Sequence, residues 1–380
     1  MKFSSLSFFL FALIALSCEN AQDKKVPSDA IVFQTLIDSI YAANPDAVGI
    51  MAHVICPDQK ISWTGAVGFS DKIEKTPLEK DQPALIASSI KTYVSATMLR
   101  LQEEGLLTMD DAISDHLSPS TVALFEKDGY NFDSIQIKHL LSHTSGIEDY
   151  ANDTYLDLID GDKMHRWTRD EQLALAIELG DPLGRAADVF SYADANYLIC
   201  TEIMEQKMGQ PFYTVMRELL NYEALRLSNT WFPTLEEKPS EAKNVVHQYW
   251  GEKGWDSYQV DISVDLYGGG GIATNTEELA RFSYSLFHGD IIRDPKVFEL
   301  IYTDIETRDG ENVDYFLGLS QGESNGLVGY GHGGFWGTTV LYFPDLNASV
   351  SVFILNKDYG PLRADVLNGL TAHLLENKRN

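Results

Sequence analysis

The chain is poor in cysteine and in positive charge, and each shortage excludes a class of protein. It has three cysteines among its 380 residues, and its 29 lysines and arginines are outnumbered by 56 aspartates and glutamates, for a formal net charge of -27. So few cysteines exclude a disulfide-stapled scaffold, and Cys56 and Cys200 are predicted to be buried thiols. Because nucleic acid and anionic membrane surfaces would repel so acidic a protein, neither is expected as a partner.

Long hydrophobic runs are also missing, apart from one near the N-terminus. Residues 8–16 are apolar and end just before Cys18. The run is too short to span a bilayer as a mature helix, and it predicts a signal peptide over residues 1–18. The residues leading to Cys18 resemble a bacterial lipobox, which predicts export to the cell envelope, lipidation of Cys18 and a polar tether over residues 19–29. Membrane contact would then come only through this lipid anchor, and the alternatives are ordinary cleavage nearby or no processing at all.

The chain contains enough apolar material for a large core. Hydrophobic residues make up 44% of the chain and aromatic residues 11%, which argues against disorder. The patterns at the two chain ends predict helices over 30–43 and 362–375 and strands over 47–55, 61–68, 338–343 and 349–355. Because both ends combine strands with a helix, we expect them to build one antiparallel sheet with helices packed on it.

The middle of the chain, from Lys91 to about Trp250, is mainly helical in pattern. The clearest helical segments are 99–107, 171–179 and 197–208. The predicted fold class is therefore α/β, an antiparallel sheet flanked by helices with an inserted all-helical lobe. The predicted domain covers 30–380, with an α/β lobe from about 30–95 and 255–380 and a helical lobe over about 96–254.

The tetrad Ser88-Ser89-Ile90-Lys91 indicates a nucleophile. If it opens a helix, residues three apart share a face, and the Ser88 hydroxyl can hydrogen-bond the Lys91 amine. A lone serine keeps its proton at neutral pH, whereas an adjacent amine of lowered pKa can help remove it. A solvated helix face is the alternative for such a pair, so the meaning of the tetrad depends on the motifs downstream.

Two later segments carry residues with chemical potential. His139 and His143 lie four apart and could both touch a metal, but no glutamate lies between them as in H-E-x-x-H, so structural histidines are favoured. Tyr192 is either a core tyrosine or a base whose pKa is lowered by nearby lysine charge. Asp194 either caps the helix that follows it or belongs to a site.

A glycine-rich segment precedes a β-rich run near the C-terminus. It contains His332, Gly333, Gly334 and Phe335. Glycines at the head of a strand let a substrate approach the backbone closely and leave amide groups free as an oxyanion hole.

In this order the segments resemble the serine hydrolases of the class C β-lactamase and penicillin-binding-protein-like family, which includes D-alanyl-D-alanine carboxypeptidases, esterases and D-aminopeptidases. The family carries S-x-x-K, Y-x-N and K-T-G or H-x-G motifs, which correspond here to Ser88–Lys91, Tyr192–Asp194 and His332–Gly334. The resemblance covers residues from about 31 to the C-terminus. It implies a β-lactamase/transpeptidase-like fold with the site between the sheet and the helical lobe.

The resemblance also implies a mechanism. Ser88 would attack a carbonyl, Lys91 and Tyr192 would take its proton and deliver it to the leaving group, and water would release the acyl group from Ser88. The backbone amides of Ser88 and Phe335 would hold the oxyanion. A small-molecule or peptide substrate is expected, and no metal or organic cofactor is needed.

Two departures from the family pattern bear on the substrate. Gly333 replaces a hydroxyl residue that helps hold a substrate carboxylate, and Asp194 stands where an asparagine amide is common. An ester, an amide or an amine-bearing substrate therefore fits better than a D-Ala-D-Ala or β-lactam ligand. The alternatives from other classes are a catalytically silent ligand-binding protein and a metallohydrolase at His139 and His143.

Overall fold

The structure is a computed structural model that describes residues 28–310 and 313–379. Cys18 and the predicted signal peptide lie outside the described residues. The α-helices are α1 Ser28–Ala43, α2 Lys91–Glu103, α3 Pro119–Lys127, α4 Ile137–Leu141, α5 Asp153–Gly161, α6 Arg169–Leu179, α7 Asp194–Met208, α8 Phe212–Leu219, α9 Thr276–Phe287, α10 Pro295–Glu299 and α11 Leu362–Arg379. The strands are β1 Gly49–Cys56, β2 Ile61–Asp71, β3 Thr76–Pro77, β4 Ala84–Leu85, β5 Tyr249–Trp250, β6 Trp255–Asp256, β7 Ala273–Thr274, β8 Ser320–Ser324, β9 Leu327–Gly334, β10 Thr338–Phe343 and β11 Ala348–Ile354.

Seven strands form one antiparallel sheet in the order β3-β2-β1-β11-β10-β9-β8. The two ends of the chain meet at its centre, where β1 pairs with β11 and Ile50 lies opposite Ile354. The predicted joint sheet of the two chain ends is thereby confirmed, as is the predicted fold class.

Helices cover both faces of this sheet. Helices α1 and α11 pack against each other and over one face, where Phe33, Val54, Val350 and Leu370 belong to a buried apolar cluster. Helix α9 packs on β1, β10 and β11 from the other side. Because nearly every residue of β1 and β11 is buried, the centre of the sheet is covered on both faces.

Two details of the helical middle differ from the sequence prediction. The helix expected over 99–107 ends at Glu103, because the chain turns at Gly105, whose φ of 71° lies in the left-handed region. The described structure has no α-helix over residues 220–248, although this stretch was assigned to the helical lobe. It contains Pro233 and Pro239, which lack the backbone donor that a helix interior needs.

The predicted state of the two cysteines in this part of the chain is confirmed. Cys56 and Cys200 are both buried free thiols. A separate finding is that none of the helices within residues 28–310 and 313–379 has the length and apolar character to cross a membrane.

Removing side-chain volume at the centre of the sheet should destabilise the protein strongly. Ile354 is fully buried, so Ile354→Ala leaves a cavity and is expected to cost about 2–5 kcal/mol of unfolding free energy, measured by urea denaturation. The matched control is Ile73→Ala: Ile73 is 73% exposed, and its loss should change the unfolding free energy by no more than about 0.5 kcal/mol. Equal midpoints for the two variants would contradict this account of the core.

Candidate active site

Ser88 lies in a tight helical turn, Ala87–Ile90, that leads directly into α2. The turn begins at Ala87 with a φ of 44°, a left-handed conformation that costs a non-glycine residue roughly 1–2 kcal/mol. Ser88 is half-buried and lines a cavity of about 470 Å³. The predicted pair is confirmed, because Lys91 Nζ donates a hydrogen bond to Ser88 Oγ at 3.0 Å.

The Lys91 side chain is completely buried, and its ammonium group is held by three oxygen atoms. Besides Ser88 Oγ, it contacts Asp194 Oδ1 at 2.5 Å and the Gly269 carbonyl oxygen at 3.4 Å. Burying an unpaired charge is very costly, whereas an ion pair with further hydrogen bonds offsets much of that cost. The Asp194 carboxylate is therefore part of the structure that keeps Lys91 beside Ser88.

Asp194 is the first residue of α7, and its side chain does not cap that helix. The N-cap residue is Ala193, which has no side-chain hydrogen bond to offer. The backbone N–H of Asp194 is bound instead by Asp149 Oδ1 at 3.0 Å. The carboxylate of Asp194 is thus free to pair with Lys91, which decides between the two interpretations of this residue.

Tyr192 approaches Ser88 from the same segment. Its side chain lies close enough to that of Ser88 to affect the pKa of the phenol, and Lys91 Nζ lies 4.9 Å from the centre of its ring. The residue is 37% exposed and lines the cavity. Burial, followed by the charge of Asp194, raises the pKa of Tyr192 well above its usual value. The predicted lowering of this pKa is wrong, because burial of the phenol, followed by the charge of Asp194, favours the protonated form.

Strand β9 ends at the glycine-rich segment and runs beside the turn Ala87–Ile90 that carries Ser88. A Cβ atom on Gly334 would lie 2.1 Å from the Ile86 carbonyl oxygen and 2.4 Å from Thr338 Oγ1, so only glycine fits. Ser89 Oγ also donates to the His332 carbonyl oxygen at 3.3 Å. The sequence predicts that a substrate approaches the backbone of these glycines closely. At Gly334 the group that lies this close is the Ile86 carbonyl of the chain itself. After the strand ends, the backbone N–H of Phe335 makes no backbone hydrogen bond within the described residues.

The two histidines of the earlier segment serve different partners. His139 Nδ1 accepts a hydrogen bond from the Gln136 N–H at 3.0 Å and closes the first turn of α4. His143 Nδ1 accepts from the Ala193 N–H at 3.1 Å, and its ring lies 4.1 Å from that of Tyr192. The structural interpretation of these histidines, which the sequence favoured, is confirmed.

Two further carboxylates that sequence reasoning missed face the site. Asp149 and Asp265 both line the cavity with Asp194. Burial, followed by the charge of Asp194, raises the pKa of Asp265 to about 7, and the same two causes raise the pKa of Asp149. The one available signal for Asp265 was the glycine run after it: a Cβ on Gly270 would lie 2.1 Å from Asp265 Oδ2, so the run folds directly over this carboxylate.

The rest of the cavity wall is apolar and aromatic. It includes Tyr155, Leu156, Ile159, Trp255, Val264, Phe335 and Trp336, together with His332 and Gly333. Burial, followed by the charge of Lys91, lowers the pKa of His332 to about 4, so its ring is neutral at pH 7. Among the described residues no lysine or arginine lines the cavity, and its charged groups are carboxylates.

The raised pKa of Asp265 makes stability depend on pH in a definite direction. Between about pH 4 and pH 7 the folded protein keeps a proton on Asp265 that the unfolded chain releases, so the free energy of unfolding falls as pH rises, by at most about 1.4 kcal/mol per pH unit. In Asp265→Asn this contribution is absent. Urea denaturation should show a stability gain of the variant over the wild type that is small near pH 4 and largest above pH 7.

The matched control for this experiment is Asp133→Asn, which removes an exposed carboxylate outside the site. Its stability difference from the wild type should stay constant over the same pH range. A constant difference for Asp265→Asn as well would show that Asp265 ionises as an ordinary surface carboxylate.

Comparison with known proteins agrees with this geometry. The chain is similar to PbpX of Bacillus subtilis, a penicillin-binding protein by name, with 26% identity over 255 residues that cover 66% of this chain and 57% of PbpX. The chain thus spans less than two thirds of that relative. Two solved structures share its fold. The D-stereospecific amidohydrolase of Streptomyces sp. has a TM-score of 0.72 and 21% identity over 88% of this chain and 98% of the other. The D-amino acid amidase of Ochrobactrum anthropi SV3 has a TM-score of 0.76 and 18% identity over 93% and 99%.

The Beta-lactamase family model matches residues 37–376, which include every residue of the site described above. This match spans most of the chain. It agrees with the antiparallel sheet, the turn Ala87–Ile90 and the hydrogen bond from Lys91 to Ser88. The chain belongs to the Beta-lactamase family of serine hydrolases and penicillin-binding-like proteins.

Proposed function

We propose that this protein is a serine hydrolase that cleaves an ester, amide or peptide bond through an acyl-enzyme on Ser88. The observation that carries the proposal is the hydrogen bond from a fully buried lysine, Lys91, to a serine hydroxyl that opens into a cavity. A serine placed in this way can lose its proton as it attacks a carbonyl carbon. The apolar walls of the cavity suit a substrate whose acyl group is hydrophobic or aromatic.

The proton steps follow from the contacts of Lys91 and Tyr192. Transfer of an ammonium proton from Lys91 Nζ to Asp194 Oδ1, across 2.5 Å, leaves a neutral amine that takes the Ser88 Oγ proton as this oxygen bonds to the carbonyl carbon. Asp194 returns its proton to the amine once Lys91 has passed one on. Tyr192 holds its phenol proton, so it is suited to give that proton to the leaving amine or alkoxide and to regain one from Lys91. The serine loses one proton and the leaving group gains one. Water then attacks the acyl-enzyme by the same route in reverse.

The oxyanion of the tetrahedral intermediate would be held by the backbone amides of Ser88 and Phe335. Phe335 follows the end of β9, and its N–H makes no backbone hydrogen bond in the described part of the chain. Each such donor contributes roughly 3–4 kcal/mol in well-studied acyl-transfer enzymes.

The charge of the cavity favours substrates that carry an amine over those that carry a carboxylate. Asp149, Asp194 and Asp265 face it, and Lys91 is engaged by Asp194. Gly333 offers no hydroxyl for a substrate carboxylate, as the sequence predicted. One protein of the same fold is, by its name, a D-amino acid amidase, and a D-amino acid amide carries a free amine and no carboxylate.

The proposed location of this hydrolase is the cell envelope of a bacterium, with Cys18 as the site of lipid attachment. The sequence before Cys18 carries this part of the proposal. Its test is metabolic labelling with a fatty-acid analogue, which should label the wild-type protein and leave Cys18→Ser unlabelled.

A fluorophosphonate probe should label the full chain at Ser88. Ser88→Ala should lose labelling and lower the turnover of p-nitrophenyl esters about a thousandfold or more, with an unchanged melting temperature, because the nucleophile is gone and the fold is not. The matched control is Ser134→Ala, an exposed serine that should label and turn over normally. Absence of labelling in folded wild-type protein would refute the acyl-enzyme and favour the silent ligand-binding alternative.

The preference for an amine predicts a ranking of substrates. An aromatic D-amino acid amide should have a kcat/KM at least about tenfold higher than its N-acetyl derivative, because one favourable charge interaction of about 1.4 kcal/mol changes a rate tenfold. Asp265→Asn should reduce this ratio, and Asp133→Asn should leave it unchanged. Efficient hydrolysis of nitrocefin or of D-Ala-D-Ala peptides, which carry carboxylates, would contradict the proposed substrate class.

A further inference from the structure

A buried tyrosine outside the three sequence motifs joins two walls of the site. Tyr315 lies on the connection that enters β8, and its side chain is among the residues buried beneath Tyr192. Its hydroxyl lies 3.2 Å from His143 Nε2 and 3.1 Å from His332 Nε2. The tyrosine therefore connects a histidine beside the Tyr192 segment with a histidine on β9.

The outer ends of this connection are backbone groups whose hydrogen-bonding roles cannot change. At one end His143 Nδ1 faces the Ala193 N–H at 3.1 Å, and a backbone N–H only donates. At the other end His332 Nδ1 faces the Gly333 carbonyl oxygen at 2.6 Å, and a carbonyl only accepts. His143 Nδ1 is thus an acceptor, and His332 Nδ1 carries a proton.

These two ends determine every proton between them, because both imidazoles are neutral. Burial, followed by the charge of Lys91, lowers the pKa of each histidine below its usual value. Neutral His143 must then carry its proton on Nε2 and donate it to the Tyr315 oxygen. Tyr315 must donate its own proton to His332 Nε2, while the nearby Tyr197 hydroxyl donates elsewhere, to the Leu141 carbonyl at 2.8 Å.

We propose that Tyr315 is a positioning residue for the hydrolase reaction, an inference that rests on the proposed function. Tyr315 links a one-way chain of hydrogen bonds that runs from the Ala193 N–H, through His143 and His332, to the Gly333 carbonyl. At the first end the chain orders the segment that places Tyr192 and Asp194 beside Lys91. At the second end it orients the peptide that precedes Gly334 and Phe335, whose amide is the oxyanion donor. Tyr315 itself touches neither Ser88 nor the acyl group.

The location of the rings supports this role. The His143 ring lies against that of Tyr192 at 4.1 Å between centres, and Tyr315 meets Tyr192 edge-on at 6.0 Å. A change in this chain of hydrogen bonds therefore reaches Tyr192, the proposed proton donor, directly. The end of strand β9 depends on the same hydrogen bonds. The neutral His332 ring has one N–H, so Nδ1 can donate to the Gly333 carbonyl only while Nε2 accepts from Tyr315.

The test is ¹⁵N NMR of the full chain with labelled histidine, combined with kinetics of Tyr315→Phe. In the wild type, His143 should carry its proton on Nε2 and His332 on Nδ1, with His332→Gln and His143→Gln used to assign the signals. Tyr315→Phe should move the Nε2 signals of both histidines and lower kcat about tenfold with little change in KM, because the loss falls on the aligned transition state. The matched control is Tyr222→Phe, which removes a buried hydroxyl that has no hydrogen-bond partner among the described residues.

The opposite tautomer at either histidine in the wild type would overturn the proposal. Because this measurement uses the wild-type protein, it remains decisive even when Tyr315→Phe does not fold. Unchanged kcat in folded Tyr315→Phe would overturn the positioning role, whatever the NMR signals do. A wild type with the expected tautomers and no turnover of any ester or amide would instead count against the proposed hydrolase function, so the two failures are distinguishable.

Discussion

The burial of the Lys91 ammonium is the constraint on which the rest of the site depends. A charged amine with no solvent contact must be surrounded by oxygen atoms, and here they come from three distant parts of the chain: Ser88, Asp194 and the Gly269 carbonyl. The ion pair is therefore a structural requirement as well as a chemical device. It ties the start of α2 to the start of α7 and to the glycine run, and it leaves one hydrogen of the ammonium directed at Ser88 Oγ.

The sheet supplies the rigid partner for this arrangement. Because β1 and β11 are buried on both faces, the strands beyond them have little freedom, and β9 ends where Gly334 can lie against the Ile86 carbonyl. Ser88 and Phe335 both line the cavity. The turn Ala87–Ile90 is thus held by helix α2 on one side and by the end of strand β9 on the other, a preorganisation that suits the proposed acyl transfer.

The excess of carboxylates gives this site its own electrostatic character. Asp194 pairs with the buried Lys91, and burial, followed by repulsion from Asp194, raises the pKa of Asp149 and Asp265. Burial and the charge of Asp194 also raise the pKa of Tyr192, so its phenol keeps its proton. His143, Tyr315 and His332 form a neutral layer beneath it, so the charges of the site are confined to the Lys91 and aspartate cluster.

The pairing of the chain ends could be predicted from local patterns, since residue spacing places Ser88 and Lys91 on one helix face and β-rich runs mark β1, β10 and β11. The sequence by itself therefore determined the fold class, the contact between Ser88 and Lys91 and the glycine-rich strand end. Only the tertiary structure decided the pKa direction of Tyr192, the presence of Asp149 and Asp265, and the hydrogen-bond chain through Tyr315. These depend on which groups meet across the fold and how far each is removed from water, and neither distance nor burial can be read from spacing along the chain.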